Sequence, residues 1–137
     1  MERVEDCVSF LVGKAAQRIS RRAKELLAPF DVTPPQYAVL KVLFEGDGLS
    51  AREIGDRLAI DGATITGIVD RLEKAGLLDR RDDPLDRRVY RLVLTGRAKS
   101  LAGPLDAAMD QLNEEARGLL GESAGMVYEG LKALSGR

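Results

Sequence analysis

Three helix starts at Thr33, Ser50 and Asp61 share one local grammar, and they constrain this chain more than any other feature. Thr33-Pro34-Pro35-Gln36 reads as an N-cap, a proline at the first helical position and a capping-box glutamine. Val32 and Tyr37 flank it at the spacing of a hydrophobic staple. Ser50-Ala51-Arg52-Glu53 is a second capping box, stapled by Leu49 and Ile54, and Asp61 caps a third helix, stapled by Ile60 and Ile65. These signals predict helices over 34–45, 50–58 and 62–75, the last stopped by Gly76 as a left-handed C-terminal residue.

The hydrophobic period changes on either side of this block. Upstream, Val4, Val8, Leu11, Ala15, Ile19, Ala23, Leu26 and Phe30 recur in steps of three and four, the stripe of one helix over 4–30. Its apolar edge exceeds what a three-helix core can cover, so part of it is expected to meet another chain. Downstream, Leu77–Arg81 and Val89–Leu94 read as two strands, with Tyr90, Leu92 and Leu94 on one face. The charged, turn-rich Asp82-Asp83-Pro84-Leu85-Asp86-Arg87-Arg88 joins them as a hairpin. A further helix opens at Thr95-Gly96 with the stripe Leu101, Leu105, Met109, Leu112, Ala116 and Leu119. Pro104 should bend it unless it begins only there. A last helix near 123–135 would turn Met126, Val127, Leu131 and Leu134 inward.

Two short helices joined by the tight Leu58–Asp61 turn and followed by a charged hairpin give the outline of a winged helix-turn-helix. The expected fold is mainly α with a small β-hairpin wing, divided into an N-terminal helix (1–31), a DNA-binding core (32–96) and C-terminal helices (97–137). On the helix 62–75, Ile65, Ile68, Val69 and Leu72 make the core stripe. Gly62, Ala63, Thr64, Thr66, Gly67, Asp70, Arg71 and Lys74 remain outside. Small residues come first, which lets a recognition helix sink into the major groove. Threonine offers a hydroxyl to base edges or phosphates and a methyl to thymine, while Arg71 and Lys74 suit phosphates. Arg52 and Arg57 on the preceding helix are phosphate candidates or ordinary surface charge.

Composition narrows the function class. The chain has no histidine, the commonest general base and transition-metal ligand, and no glycine-rich phosphate loop. No carboxylate pair stands out, so no enzyme, metal site or cofactor is expected. One cysteine, Cys7, excludes an intrachain disulfide. With acids in the first residues and no long apolar run, a cytoplasmic protein is expected, away from the membrane. The net charge of −1 is permissive only: an acidic stretch after Leu101 leaves the remainder mildly basic.

From Val32 to Gly96 the chain resembles the MarR family of regulators. The blocks are Thr33-Pro34-Pro35-Gln36-Tyr37, Ser50-Ala51-Arg52-Glu53-Ile54, Thr64-Ile65-Thr66, Val69-Asp70-Arg71-Leu72-Glu73-Lys74-Ala75-Gly76-Leu77 and Asp86-Arg87-Arg88, ending in Leu94-Thr95 and Ala98. Their order and spacing are more specific than any single block. The resemblance implies a homodimer with intertwined terminal helices, bound to double-stranded DNA. One wing arginine would enter the minor groove while the other pairs with Asp86 to brace the wing; the sequence leaves open whether Arg87 or Arg88 does which. It also implies a small-molecule effector of unidentified chemistry, held between the dimerisation helices and the DNA-binding lobe. With 4% aromatic residues and no tryptophan, no ring-stacking cage is visible. Gly67 departs from the family, whose members often carry a larger, frequently basic residue there. Either the backbone approaches DNA closely at that point or the contact is missing. Two rival readings are a winged-helix protein-interaction module without DNA binding and a redox-sensing regulator acting through Cys7. Against the latter, alignment on Phe10-Leu11 puts Ser9 at the sensing position of the peroxide-sensing relatives, and Gly13 replaces their aromatic partner.

Overall fold

The computed structural model describes residues Met1–Gly136, which form two packed units. One is Leu27–Leu105; the other combines Met1–Leu26 with the chain from Asp106 onward.

In the first unit, α2 (Pro34–Glu45), α3 (Ala51–Leu58) and α4 (Gly62–Lys74) begin where their caps require. Thr33 Oγ1 accepts from Gln36 N at 3.3 Å and Gln36 Oε1 accepts from Thr33 N at 3.0 Å. Ser50 and Glu53 exchange the same pair of bonds at 3.1 and 3.3 Å. Asp61 accepts from Thr64 N at 2.8 Å. Each bond satisfies a backbone donor at a helix end that the helix cannot pair internally. Gly76 has φ +75°, the left-handed stop expected after α4.

The turn between α3 and α4 depends on a glycine absent from the sequence reading. The Gly55 carbonyl accepts from Ile60 N at 2.9 Å. A β-carbon on Gly55 would lie 3.0 Å from the Ile60 carbonyl oxygen and 3.6 Å from Ile65 Cγ2. Ala59 completes the turn in the left-handed region at φ 55°.

Three antiparallel strands follow the order β1-β3-β2, with β1 Leu49–Ser50, β2 Leu78–Asp82 and β3 Tyr90–Leu94. The two hairpin strands start one residue later than expected, and β1 is additional. Leu49 pairs with Leu92, and Leu78 with Leu94. Leu92 and Leu94 are buried, but Tyr90 is exposed because it pairs with Asp82 at the outer end of the hairpin. Leu40, Leu43, Ile54, Leu72, Leu78 and Leu92 form the fully buried centre.

The other unit is helical. In place of one helix over 4–30, a 3₁₀ turn at Val4–Asp6 is followed by extended Cys7 and then α1 (Val8–Leu27). Ala28–Phe30 continues as 3₁₀ helix because Pro29 has no N–H to extend the α-helical ladder. Cys7 is half-buried. Helix α5 (Gly96–Leu120) runs through Pro104, and the division between the units falls just after it, between Leu105 and Asp106. Arg22 on α1 grips Glu115 on α5 with bonds of 2.8 and 2.7 Å. The Arg117 guanidinium lies 4.3 Å from the centre of the Tyr128 ring, joining α5 to α6 (Ala124–Leu134).

The inward placement expected for the last helix does not hold within the chain. Met126, Leu131 and Leu134 are exposed and Val127 is half-buried; on α6 only Ala124 is buried. The helices of this unit carry more apolar surface than they cover between themselves. Among the described residues, no helix is long and apolar enough to cross a membrane.

Candidate nucleic-acid interface

Helix α4 turns Ile65, Ile68, Val69 and Leu72 into the core. Ala63, Thr64, Thr66, Arg71 and Lys74 are exposed on its other side, and Gly67 is half-buried. Apart from the adjacent residues and the helix's own backbone, no atom of the described residues lies within 4 Å of where a Gly67 β-carbon would stand, so packing places no demand for glycine there.

The hydroxyls of both threonines are engaged within the chain. Thr64 Oγ1 donates to Asp61 Oδ2 at 2.8 Å, and Thr66 Oγ1 donates to the Gly62 carbonyl at 2.7 Å. Each hydroxyl has a single hydrogen, so neither offers a donor to an outside group while these bonds stand. Both retain lone pairs and a methyl. The Asp61 carboxyl is held below its ordinary range, first by the Thr64 backbone N–H and then by the Thr64 hydroxyl.

Asp70 and Glu73 are acids outside the core stripe of α4, and Arg80 of β2 neutralises Asp70 while also reaching Glu73 at 3.5 Å. This pairing ties the wing strand to α4 and cancels a charge that would repel phosphate. The side chains of Arg71 and Lys74 make no hydrogen bond or ion pair with other described residues. Arg57 differs from Arg52, Arg71 and Lys74: it is paired with Glu45 at 2.6 Å.

The wing is braced by more than the sequence suggested. Arg88 pairs with Asp86 through two side-chain bonds, 3.1 and 3.2 Å, and its backbone N–H adds a third at 3.0 Å. These bonds hold the Asp86 carboxyl low, the Arg88 side chain contributing most. Arg87, next in the chain, is exposed and makes no such bond among the described residues. The two arginines that the sequence could not tell apart thus occupy different states.

Asp83 is the anchor that sequence reasoning missed. It accepts from Leu85 N at 2.8 Å and Asp86 N at 3.2 Å, and it pairs with Arg91 at 3.0 Å. Arg91 also donates to the Gly48 carbonyl at 2.9 Å, linking the loop to the approach of β1. The Asp83 carboxyl sits below its ordinary value chiefly through the Leu85 N–H; the Arg91 charge helps and burial opposes. The Asp83-Pro84 pair was a visible turn signal, but the partners of Arg91 and Arg80 carry none. At the loop apex Leu85 is 96% exposed.

A groove of about 350 Å³ runs beside α4 and the hairpin, lined in part by Arg52, Thr66, Arg80, Arg88 and Tyr90. It brings together three residues expected from sequence, Arg52, Thr66 and Arg88, with two that were not, Arg80 and Tyr90. Among the described residues no cluster of three acidic, cysteine or histidine side chains is placed to hold a metal ion.

A sequence profile described as the MarR family matches residues 30–89. The HTH-type transcriptional regulator TtmR of Methylorubrum extorquens is 42% identical over 97 residues, covering 71% of this chain and 50% of its own. The chain therefore spans about half the length of that relative. A probable transcriptional regulator from Pseudomonas aeruginosa superposes with a TM-score of 0.87 at 30% identity, covering 96% of this chain and 98% of its own. The repressor CouR of Rhodococcus jostii, solved on a 23-mer DNA duplex, gives 0.84 at 26% identity, with 100% and 97% covered.

Proposed function

The chain belongs to the MarR family, and from that premise we propose that it is a sequence-specific DNA-binding transcription regulator, a cytoplasmic homodimer acting as a repressor. The observation that carries this reading is the division of labour in the wing. Arg88 braces the loop on Asp86, while Arg87 stands exposed beside it with no side-chain partner among the described residues. A rigid loop presenting one uncompensated guanidinium suits the narrow, strongly negative minor groove.

In this reading, Ala63, Thr64, Thr66 and Gly67 face bases in the major groove. Arg52, Arg71 and Lys74 neutralise phosphates, with Arg57 contributing only if it leaves Glu45. Two copies of α4 would enter successive major grooves about 34–36 Å apart on a pseudo-palindromic site. The exposed apolar residues of α1 and α6 supply the surface on which the copies join. A small-molecule effector would act by preferring one conformation of the dimer.

The test is electrophoretic mobility of the gene's own upstream intergenic DNA beside a scrambled duplex, across a salt series. Selective retardation that weakens steeply with salt is expected. Arg87→Ala should lower affinity roughly tenfold or more while leaving the dimer intact. Unselective or absent binding by an intact dimer, with this DNA and with a random library, would instead favour a protein-interaction module.

A further inference from the structure

Over the first two turns of α4, the outward positions are Gly62, Ala63, Thr64, Thr66 and Gly67. Ala63, Thr64 and Gly67 share a face through the three- and four-residue spacing, and Thr66 extends it beside Ala63. None of these residues has a side-chain N–H. The only two side-chain hydrogens able to donate are consumed at 2.8 Å by Asp61 and at 2.7 Å by the Gly62 carbonyl. The surface left is made of methyl groups, hydroxyl lone pairs and bare backbone, with open space over Gly67.

This chemistry restricts what the helix can read. A guanine is singled out in the major groove by donors reaching its O6 and N7, whereas thymine is singled out by its 5-methyl group. We infer that the first two turns of α4 select A·T-rich half-sites by packing the methyls of Ala63, Thr64 and Thr66 against thymine methyl groups, and not by donating to guanine. This rests on the DNA-binding reading above and names the class of sequence it requires. Glycine at 62 and 67 serves that packing by letting the helix lie close to the base edges.

The experiment begins with selection of duplexes from a random library by the wild-type protein. Thymines in the selected half-sites are then replaced singly by deoxyuridine, which removes only the methyl. Selected half-sites should be A·T-rich, and replacement at the contacted positions should weaken binding roughly fourfold per methyl. Thr64→Ser with Thr66→Ser keeps both hydroxyls and removes both methyls, so it should erase most of that discrimination. Thr66→Val keeps a methyl without the hydroxyl and should still discriminate thymine from deoxyuridine. Guanine-anchored half-sites indifferent to deoxyuridine would overturn the inference, as would unchanged discrimination in the double serine variant. A library yielding no preferred sequence would remove the DNA-binding reading itself, and this inference with it.

Discussion

The unit Leu27–Leu105 and the helical unit treat their apolar residues in opposite ways. The largest fully buried side chains, Leu40, Leu43, Ile54, Leu72 and Leu92 among them, all belong to the first. Most large apolar side chains left in solvent belong to the second, including Val8, Leu11, Leu119, Met126 and Leu131. A helical unit that leaves Met126 82% exposed has an unfinished core, and a second copy of the same chain completes it under the proposed dimer. The first unit has two exceptions, Leu85 and Tyr90, and both stand on the wing beside the candidate DNA surface. Under the proposed reading, exposed apolar area therefore marks two different contacts, one with protein and one with DNA.

The comparison breaks most readily in the core of the first unit. Leu72→Ala should lower its unfolding free energy by about 2–5 kcal/mol, because a fully buried leucine leaves a cavity. Chemical denaturation should give the same loss at every protein concentration. Leu131→Ala on α6 should behave differently: roughly tenfold to hundredfold weaker dimerisation, with a thermal midpoint that falls on dilution. Sedimentation equilibrium separates the two. A concentration-independent loss from Leu131→Ala would mean that this face is not the dimer surface.

A smaller effect sharpens the account of the first unit. Gly55→Ala adds a β-carbon 3.0 Å from the Ile60 carbonyl oxygen, which belongs to backbone and has little room to retreat. Overpacking there should outweigh the gain in helix propensity and leave a net loss of about 1 kcal/mol. The same change at Gly67, where space is open, should stabilise the free protein by about 1 kcal/mol, read by thermal denaturation. If Gly55→Ala also stabilises, the α3–α4 turn does not depend on close approach.

What could be read in the sequence was local. The caps at Thr33, Ser50 and Asp61 act on backbone donors three residues away, so four-residue strings suffice to place α2, α3 and α4. Strand β1 was missed because Leu49–Ser50 is a strand only by virtue of Leu92 and Arg91, far along the chain. The same holds for the Arg91 bond to the Gly48 carbonyl and the Arg80 pairing with Asp70. In the wing, the charged turn and the family resemblance marked Asp86, Arg87 and Arg88 together, but only folded geometry separates the bracing arginine from the exposed one. The inward stripe expected on α6 failed for another reason: periodicity reports that a face will be covered, and it is silent on which chain covers it.

Acid should expose the difference between the units last and most gently. In the helical unit, Glu115 is held below its ordinary 4.5 mainly by Arg22, with Gln111 assisting and burial opposing. In the wing, Asp83 is held below its ordinary 3.8 by the Leu85 N–H and the Arg91 charge. A carboxylate whose folded pKa is depressed contributes stability that is complete above its unfolded value and is lost as pH falls through the folded one. The Arg22–Glu115 contribution should therefore begin to fade below about pH 4.5, and the wing contribution only below about pH 3.8. Neither should change between pH 6 and 8, where an unperturbed histidine would titrate and this chain has none. Amide hydrogen exchange followed down a pH series, corrected for intrinsic rates, should show protection around Glu115 falling before protection at Leu85 and Asp86. Loss at the wing first would mean that the Asp83 hydrogen bonds hold the loop less firmly than Arg22 holds Glu115, and the wing would then be the softer part of the molecule.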